Sequence, residues 1–343
     1  MLKPSLTAIV VTAALAGTAL PNHARAEDFY SGKTIRLGIA AGPGGGFDTI
    51  ARTIGEHLGK HVPGNPSVVP ENRVGAGGRV MANWLYGVAP KDGLHIGMLG
   101  PWSVFEPFWD QPGVQFEPAK FNWLVSANRE ASSCMFWKGR GVETFRHMQA
   151  KEIKVGSYGP TSAQTQDALA LNALLGTKLS IIHGYKGTND TMLAVERGEI
   201  DGTCGIWASS AMSAYSSQIQ RGDLKVVVQL GFQDHPDFKG IENPIATVTN
   251  PEDQAALRLI FGQLDIARPF AAPPGVPADR VATLRKAFWS VLQDPELIAS
   301  AKRQGLDLRP LEGEKVQAFV RRFSKHRKPP SNAPRRSRAI EYP

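Results

Sequence analysis

Apolar positions along this chain follow two alternating spacings. A strand-like apolar run over Thr34–Ala41 is followed by apolar residues at helical spacing, Ile50, Ile54 and Leu58. The succession of strand, loop and helix recurs in both halves of the chain, and the clearest helical pattern covers Pro277–Leu292. Strands that alternate with helices predict an α/β protein in which mixed, mostly parallel sheets are flanked by helices.

Loops rich in small residues follow four of the predicted strands. They begin after Ala41, Asn72, Ser157 and His183, and the most glycine-rich of them is Gly42–Gly46. Ligands of parallel sheets bind at the carboxyl ends of strands, where helix N-termini offer free N–H groups and partial positive charge. We therefore expect the loops from both halves of the chain to meet in one cleft that suits an anion.

The beginning of the chain has the pattern of a secretion signal. Lys3 supplies the positive start, Leu6–Leu20 is an apolar stretch, and Ala24–Ala26 fits the rule for cleavage between small residues. The apolar stretch is short for a membrane span, and no later segment comes near the required length. Residues 1–26 are therefore interpreted as a signal peptide, with a soluble mature protein that begins near Glu27 outside the cytoplasm.

The formal charge of +8 is concentrated at the two ends of the sequence. The signal carries +2 and the tail, residues 324–343, carries +5, which leaves +1 for Glu27–Phe323. A nearly neutral folded part argues against binding of nucleic acid through a basic face. Because the tail is rich in Pro, Ser and Arg and lacks apolar periodicity, we expect it to be disordered.

Motifs for nucleotide, metal and catalytic sites are incomplete in this sequence. The loop Gly42–Phe47 begins like a dinucleotide-binding fingerprint, but Phe47 stands where the third glycine belongs. His57 and His61 have the spacing of metal ligands on one helix face, yet Gly59 weakens that helix and no third ligand stands near them. A nucleophile elbow and a convincing pair of acid–base carboxylates are also missing. The sequence therefore predicts no catalytic residue, no metal and no cofactor.

Two cysteines, Cys134 and Cys204, allow two interpretations. A pair of cysteines in a secreted protein favours a disulfide. Two separate, small buried side chains fit the sequence equally well, because spacing alone does not bring two Cα atoms within about 7 Å of each other. The sequence leaves both alternatives open.

A series of short motifs resembles one protein family. In chain order the motifs stand at Ala41–Arg52, Glu71–Gly78, Pro90–Gly93, Gly184–Gly187, Gly198–Asp201 and Ala272–Pro277. Together they resemble the Bug receptors, which are the periplasmic solute-binding proteins of the tripartite tricarboxylate transporter family. The resemblance runs from about Phe29 to about Phe323, and its specificity comes from the ordered series, since each motif alone is weak.

The resemblance implies a two-lobed, type II periplasmic-binding-protein fold (a Venus flytrap) that closes on its ligand. Lobe one would comprise residues 27–128 and 233–323, and lobe two would comprise residues 129–232. The implied function is capture of a small organic carboxylate by a monomeric periplasmic receptor that delivers it to membrane permease subunits. Two alternatives are a secreted hydrolase acting on a carboxylate-bearing substrate and a receptor that signals to a membrane sensor.

The resemblance also implies which residues bind the ligand. They are Gly44, Gly45, Phe47, Asp48, Gly75, Ala76, Gly77 and Ser103 in lobe one, and Gly159, Thr161, Ser162, Tyr185, Lys186, Gly187 and Asp201 in lobe two. Backbone N–H groups bind a carboxylate without a buried arginine, which avoids desolvating a permanent charge. Asp48 either caps its helix or accepts a hydrogen bond from the ligand, and Asp201 is either a ligand contact or an ordinary turn or interlobe residue.

Two segments depart from the family pattern. The segment Gln233–Arg268 follows it poorly, and aromatic residues are unusually dense at Trp102, Phe105, Phe108 and Trp109. These four rings are interpreted either as packing or as a platform in the cleft that favours an aromatic or bulky acid.

Overall fold

The computed structural model describes residues 29–44, 46–108, 113–157, 159, 162–185 and 187–324. The expected signal peptide and nearly all of the basic tail lie outside these residues. In chain order the strands are β1 (Thr34–Ile39), β2 (Ser67–Asn72), β3 (His95–Met98), β4 (Asn122–Ser126), β5 (Ser132–Trp137), β6 (Ile153–Ser157), β7 (Leu179–His183), β8 (Gly202–Trp207), β9 (Leu224–Leu230), β10 (Pro269–Ala272) and β11 (Leu311–Glu312). The α-helices are α1 (Gly46–Leu58), α2 (Arg79–Gly87), α3 (Phe145–Ala150), α4 (Ala163–Leu175), α5 (Thr188–Arg197), α6 (Ala208–Ala214), α7 (Ser216–Gln220), α8 (Pro251–Phe261), α9 (Ala278–Val291), α10 (Pro295–Arg303) and α11 (Gly313–Ser324).

The first sheet has the strand order β11-β4-β10-β3-β1-β2. Strands β2, β1 and β3 run parallel, whereas β10 is antiparallel to β3 and β4, and β11 is antiparallel to β4. Ile39 at the end of β1 lies opposite both Asn72 and Met98, the last residues of β2 and β3. The loops that follow these three strands therefore leave the same edge of the sheet.

The second sheet has the strand order β7-β6-β8-β5-β9. Strand β6 is parallel to β7 and β8, and β5 is antiparallel to β8 and β9. Ser157 lies opposite His183, so the loops that follow β6 and β7 also leave a common edge. Two mixed sheets with helices on their faces confirm the predicted α/β fold class.

Helix α1 illustrates how the apolar pattern builds the core. The predicted helical positions Ile50, Ile54 and Leu58 are all buried. They belong to the same cluster as Leu284 and Phe288 of α9, the helix with the clearest pattern in the sequence. Full burial of each such side chain contributes about 1.5–3 kcal/mol to folding, which fixes α1, and with it the loop that precedes it, on the first sheet.

The segment that departs from the family pattern packs on the second sheet. Ile245, Leu257, Phe261 and Leu264 are buried in the core that contains Cys134, which lies in β5. The next strand of the first sheet is β10, which begins at Pro269, and the lobe boundary at residue 233 stays a prediction. The contact with the core of the second sheet is made by the apolar face of α8, where Leu257 and Phe261 stand four residues apart.

Cys134 and Cys204 form a disulfide. The two residues lie on the neighbouring antiparallel strands β5 and β8, with their Cα atoms 3.9 Å apart, and both are fully buried. The bond joins two central strands of the second sheet and closes a loop of 70 residues. The pairing of β5 with β8 thus decides between the two interpretations that the sequence left open.

Candidate functional site

The first loop, between β1 and α1, is held in place by Asp48. Asp48 is 3% exposed and accepts a hydrogen bond from the Gly44 N–H at 2.9 Å. It also accepts from Arg52 Nε at 2.9 Å and from Asn72 Nδ2 at 2.8 Å. The pKa of Asp48 is lowered to about 2, mainly because its carboxylate accepts the hydrogen bond from Arg52. Burial acts in the opposite direction and raises the pKa. Asp48 therefore anchors this loop as an ionised carboxylate. That Asp48 also contacts a ligand stays a prediction. Gly45 lies outside the described residues.

The ends of β1 and β2 are tied to each other by Asn72. Its Nδ2 donates to the carbonyl oxygen of Ala41 at 2.8 Å as well as to Asp48. Its Oδ1 accepts from Arg52 Nη2 at 2.7 Å. Ala41, Asp48, Arg52 and Asn72 thus share one hydrogen-bond network, which ties the first loop and α1 to the end of β2.

The second loop, after β2, has an unusual backbone. Gly75, Ala76, Gly77 and Gly78 have φ angles of 139°, 45°, 64° and 96°. Such angles favour glycine, so Ala76 is held in a strained conformation by its surroundings. Runs of backbone N–H groups in turn conformations form concave anion sites. The indole N–H of Trp102 donates to the carbonyl oxygen of Gly77 at 2.5 Å and fixes this loop from the side.

The aromatic cluster after β3 divides into two parts. Phe105 is fully buried and packs against Phe323, with ring centres 5.1 Å apart, so it belongs to the core. Trp102 instead lies beside Phe47, at the start of α1, with ring centres 5.7 Å apart. The Ser103 hydroxyl donates to the carbonyl oxygen of Gly100 at 2.7 Å, so it supports the turn of its own loop. Trp109 and the side chain of Phe108 lie outside the described residues.

In lobe two, a cluster of hydroxyl groups surrounds Gly159. Ser157 Oγ lies 2.8 Å from Ser162 Oγ and 2.6 Å from Thr165 Oγ1. Ser162 and Thr165 each donate to the carbonyl oxygen of Gly159 at 2.8 Å. Ser162 is also the N-cap of α4 and accepts from the Thr165 N–H at 3.3 Å. These hydroxyls fix the start of α4. Thr161 lies outside the described residues.

The remaining residues of lobe two indicated by the motifs do not all lie together. Tyr185 and Gly187 follow β7 at the same edge as Gly159, and burial raises the pKa of Tyr185. Lys186 lies outside the described residues. Asp201 stands before β8, where its carboxylate accepts from the Lys154 N–H at 2.9 Å. Lys154 belongs to the beginning of β6, so Asp201 lies at the opposite edge of the second sheet.

Two segments join the lobes and pair with each other. Residues 127–131 lead from β4 to β5, and residues 262–268 lead from α8 to β10. The Ala127 N–H donates to the carbonyl oxygen of Arg268 at 2.8 Å. Paired segments of this kind, at the ends of strands, are positions where small backbone rotations let two lobes close.

The guanidinium of Arg268 lies between the two lobes, and the motifs did not indicate it. Arg268 is 9% exposed. Its Cζ lies 4.4 Å from the ring centre of Phe47 in lobe one and 5.1 Å from that of Trp207 at the end of β8. Its Nη1 donates to the carbonyl oxygen of Ala267 at 3.0 Å. Burial lowers the pKa of Arg268, and the charge of nearby Glu130 opposes that effect.

A signal for Arg268 does exist in the sequence. It is the single charge in the segment Ile266–Pro274, which is otherwise apolar or proline. A charged residue inside an apolar segment is rarely fully buried without a partner, so it marks a position to test for function. The motifs of the glycine-rich loops, which predict binding by backbone N–H groups, do not include this residue.

In the part of the chain that the structure describes, no helix has both the length and the apolar character of a membrane span.

Comparison with known proteins gives one consistent group of relatives. No family model matches the chain. In sequence, 296 residues are 24% identical to a UPF0065 protein from the TAR-I ttuE-ttuC' intergenic region of Agrobacterium vitis, a match that covers 83% of this chain and 78% of that protein.

Solved structures resemble the chain over most of its length. A TctC solute-binding protein from Polaromonas is 20% identical with a TM-score of 0.68, and the match covers 87% of this chain and 97% of that one. The periplasmic binding protein BugD is 21% identical with a TM-score of 0.58, covering 87% and 96%. A protein from R. palustris, solved with adipate, is 16% identical with a TM-score of 0.59, covering 86% and 96%. The chain therefore has the two-lobed fold of the TctC and Bug periplasmic binding proteins, as its motifs predicted.

Proposed function

We propose that this protein is a periplasmic solute-binding receptor that captures a small organic carboxylate. The observation that carries the proposal is the hydrogen-bond network of Asp48, Arg52 and Asn72. It holds the N-terminus of α1 beside the left-handed run Gly75–Gly78, so that backbone N–H groups of both loops can face one anion. A protein of the same fold solved with adipate supports a carboxylate as the anion.

The receptor works in the periplasm and delivers its ligand to the permease subunits of a tripartite tricarboxylate-type transporter. The secretion pattern of residues 1–26 supports export, and the periplasmic proteins of the same fold support the compartment. A disulfide between two central strands also fits an oxidising compartment.

The cleft holds its ligand without reacting with it. A serine nucleophile needs a general base within hydrogen-bond reach. Ser157 and Ser162 instead bond to each other, to Thr165 and to Gly159, and no histidine is among the hydrogen-bond partners described for them. The chemistry of these hydroxyls therefore favours a loop-fixing role over the alternative of a secreted hydrolase.

Thermal-shift screening tests the proposal. We expect at least one small carboxylate among succinate, adipate, malate, citrate and benzoate to raise the unfolding temperature of the mature protein by about 4 °C at 100 times its Kd. The matched amides, which lack the charge, serve as controls and are expected to give no shift. A uniform lack of response to all of these acids would contradict the proposed function. A response to benzoate alone would favour an aromatic platform at Trp102.

A further inference from the structure

Arg268 is a buried cation with very few partners. The guanidinium carries five N–H groups, and the described part of the chain gives it one hydrogen bond, from Nη1 to Ala267. Among the described residues, no carboxylate oxygen lies within 4.0 Å of its nitrogens. Its remaining nitrogens are not among the buried polar atoms that lack a partner, so they still reach water, and an acceptor from outside the chain can replace that water.

Glu130 is the carboxylate whose charge acts on Arg268 among the described residues, but its hydrogen bonds are made with other groups. Its Oε1 accepts from Asn128 Nδ2 at 3.1 Å, and its Oε2 accepts from the Ser209 N–H at 3.3 Å. Burial raises the pKa of Glu130, which weakens it further as a counter-charge for Arg268. Glu130 thus attracts the guanidinium electrostatically but accepts no hydrogen bond from the N–H groups of Arg268.

Aromatic rings restrict how an acceptor reaches Arg268. The Cζ atom of Arg268 lies over the rings of Phe47 and Trp207, 4.4 and 5.1 Å from their centres. The edge of the guanidinium carries two parallel N–H groups, which match the two oxygens of a carboxylate. Phe47 lies at the start of α1, which packs on the first sheet, and Trp207 ends β8 of the second sheet, so the guanidinium lies where the two lobes meet.

We propose that Arg268 binds a terminal carboxylate of the ligand at the hinge, as a charged counterpart to the backbone N–H groups of the first and second loops. This inference rests on the proposed function and names the residue that sets its charge selectivity. Trp102 contacts Gly77 of the second loop and the ring of Phe47, and Phe47 contacts Arg268. Two aromatic rings therefore separate the loop from the guanidinium. The preferred ligand has acidic groups at both ends and an apolar middle that lies along these rings.

Calorimetric titration with matched probes tests this role of Arg268. The probes are the straight-chain dicarboxylates from succinate to pimelate and the monoamide of each, which has the same shape and one charge fewer. The wild-type protein is expected to prefer the best dicarboxylate over its monoamide by at least tenfold. Arg268→Gln is expected to bind that dicarboxylate at least 100-fold more weakly and to lose the preference, because the monoamide can turn its uncharged end toward the hinge.

Two further variants make the result unambiguous. Arg268→Lys keeps the charge but not the paired N–H groups, so the preference is expected to remain while affinity falls about tenfold; unchanged affinity would overturn the proposal. Arg258→Gln is the matched control, since Arg258 also lies over an aromatic ring, that of Phe232, on the exposed side of α8. It is expected to bind as the wild type does.

The outcomes separate the inference from the function on which it rests. If the wild type binds dicarboxylates and Arg268→Gln keeps the same preference over monoamides, Arg268 has only a structural role and the inference fails. If the wild type binds none of the carboxylates, the proposed function itself fails.

Discussion

Asp48→Ala is expected to lower the free energy of unfolding by about 3 kcal/mol and to weaken carboxylate binding at least tenfold. Asp48 is 3% exposed and accepts hydrogen bonds from Gly44, Arg52 and Asn72. Removal of one partner of a buried ion pair typically costs about 3–5 kcal/mol, and the lower end applies here because the Arg52 side chain is 39% exposed and is screened by water. Urea unfolding at pH 7 measures the first effect, and ligand titration measures the second.

The effect of Asp48 on stability should depend on pH in a defined direction. Its pKa is about 2 in the folded protein, below the value near 3.9 of an unfolded aspartate. The stabilisation is therefore fully present above about pH 4 and is lost as the pH falls toward 2. The difference between the wild type and Asp48→Ala should shrink over that range. Glu56→Ala, an exposed position on the same helix, is the control and should change stability by less than about 0.5 kcal/mol. An Asp48→Ala variant as stable as this control would contradict the anchoring role.

Replacement of both cysteines, Cys134→Ala with Cys204→Ala, is expected to lower the free energy of unfolding by about 4 kcal/mol. The disulfide closes a loop of 70 residues, and the chain-entropy relation for a loop of this length gives that figure. Because both side chains are fully buried between β5 and β8, alanine fits the site without a new polar group. Chemical unfolding of the oxidised wild type and of the double variant measures the difference.

Reduction of the wild-type protein provides the control for the double variant. Under a strong thiol reductant the unfolding curve of the wild type should move close to that of the variant, whereas the variant itself should not respond. A thiol assay should find no free cysteine in the unfolded, unreduced protein. Equal stability of the oxidised wild type and the variant would show that the bond does not stabilise the second sheet.

Periodic features of the fold were predictable from the sequence because they depend on local spacing. Helix α1 was recognisable from Ile50, Ile54 and Leu58, which lie on one face of the helix and bury against α9. The ends of β1 and β2 were recognisable because glycine-rich loops interrupt apolar runs there. Their common edge then follows from the parallel pairing of these strands.

Features that depend on distant contacts were not predictable in this way. The disulfide requires β5 to pair with β8, and no local pattern records which strands become neighbours. Leu257 and Phe261 of α8 are apolar side chains that suit the core of either sheet. The sequence therefore does not indicate which sheet α8 packs against. Arg268 is indicated as a candidate site residue by its contacts with Phe47 and Trp207, which stand 221 and 61 residues away in the sequence. Only the folded hinge brings these three side chains together.

The central claim is that the cleft holds a carboxylate without converting it. Isothermal titration calorimetry of the mature protein, with the acid that gives the largest thermal shift, tests this most directly when the ligand is afterwards recovered and examined by NMR. The account predicts saturable binding of one ligand per protein and recovery of the acid unchanged. An absence of binding heat with every acid of the panel, or recovery of a reaction product, would contradict it.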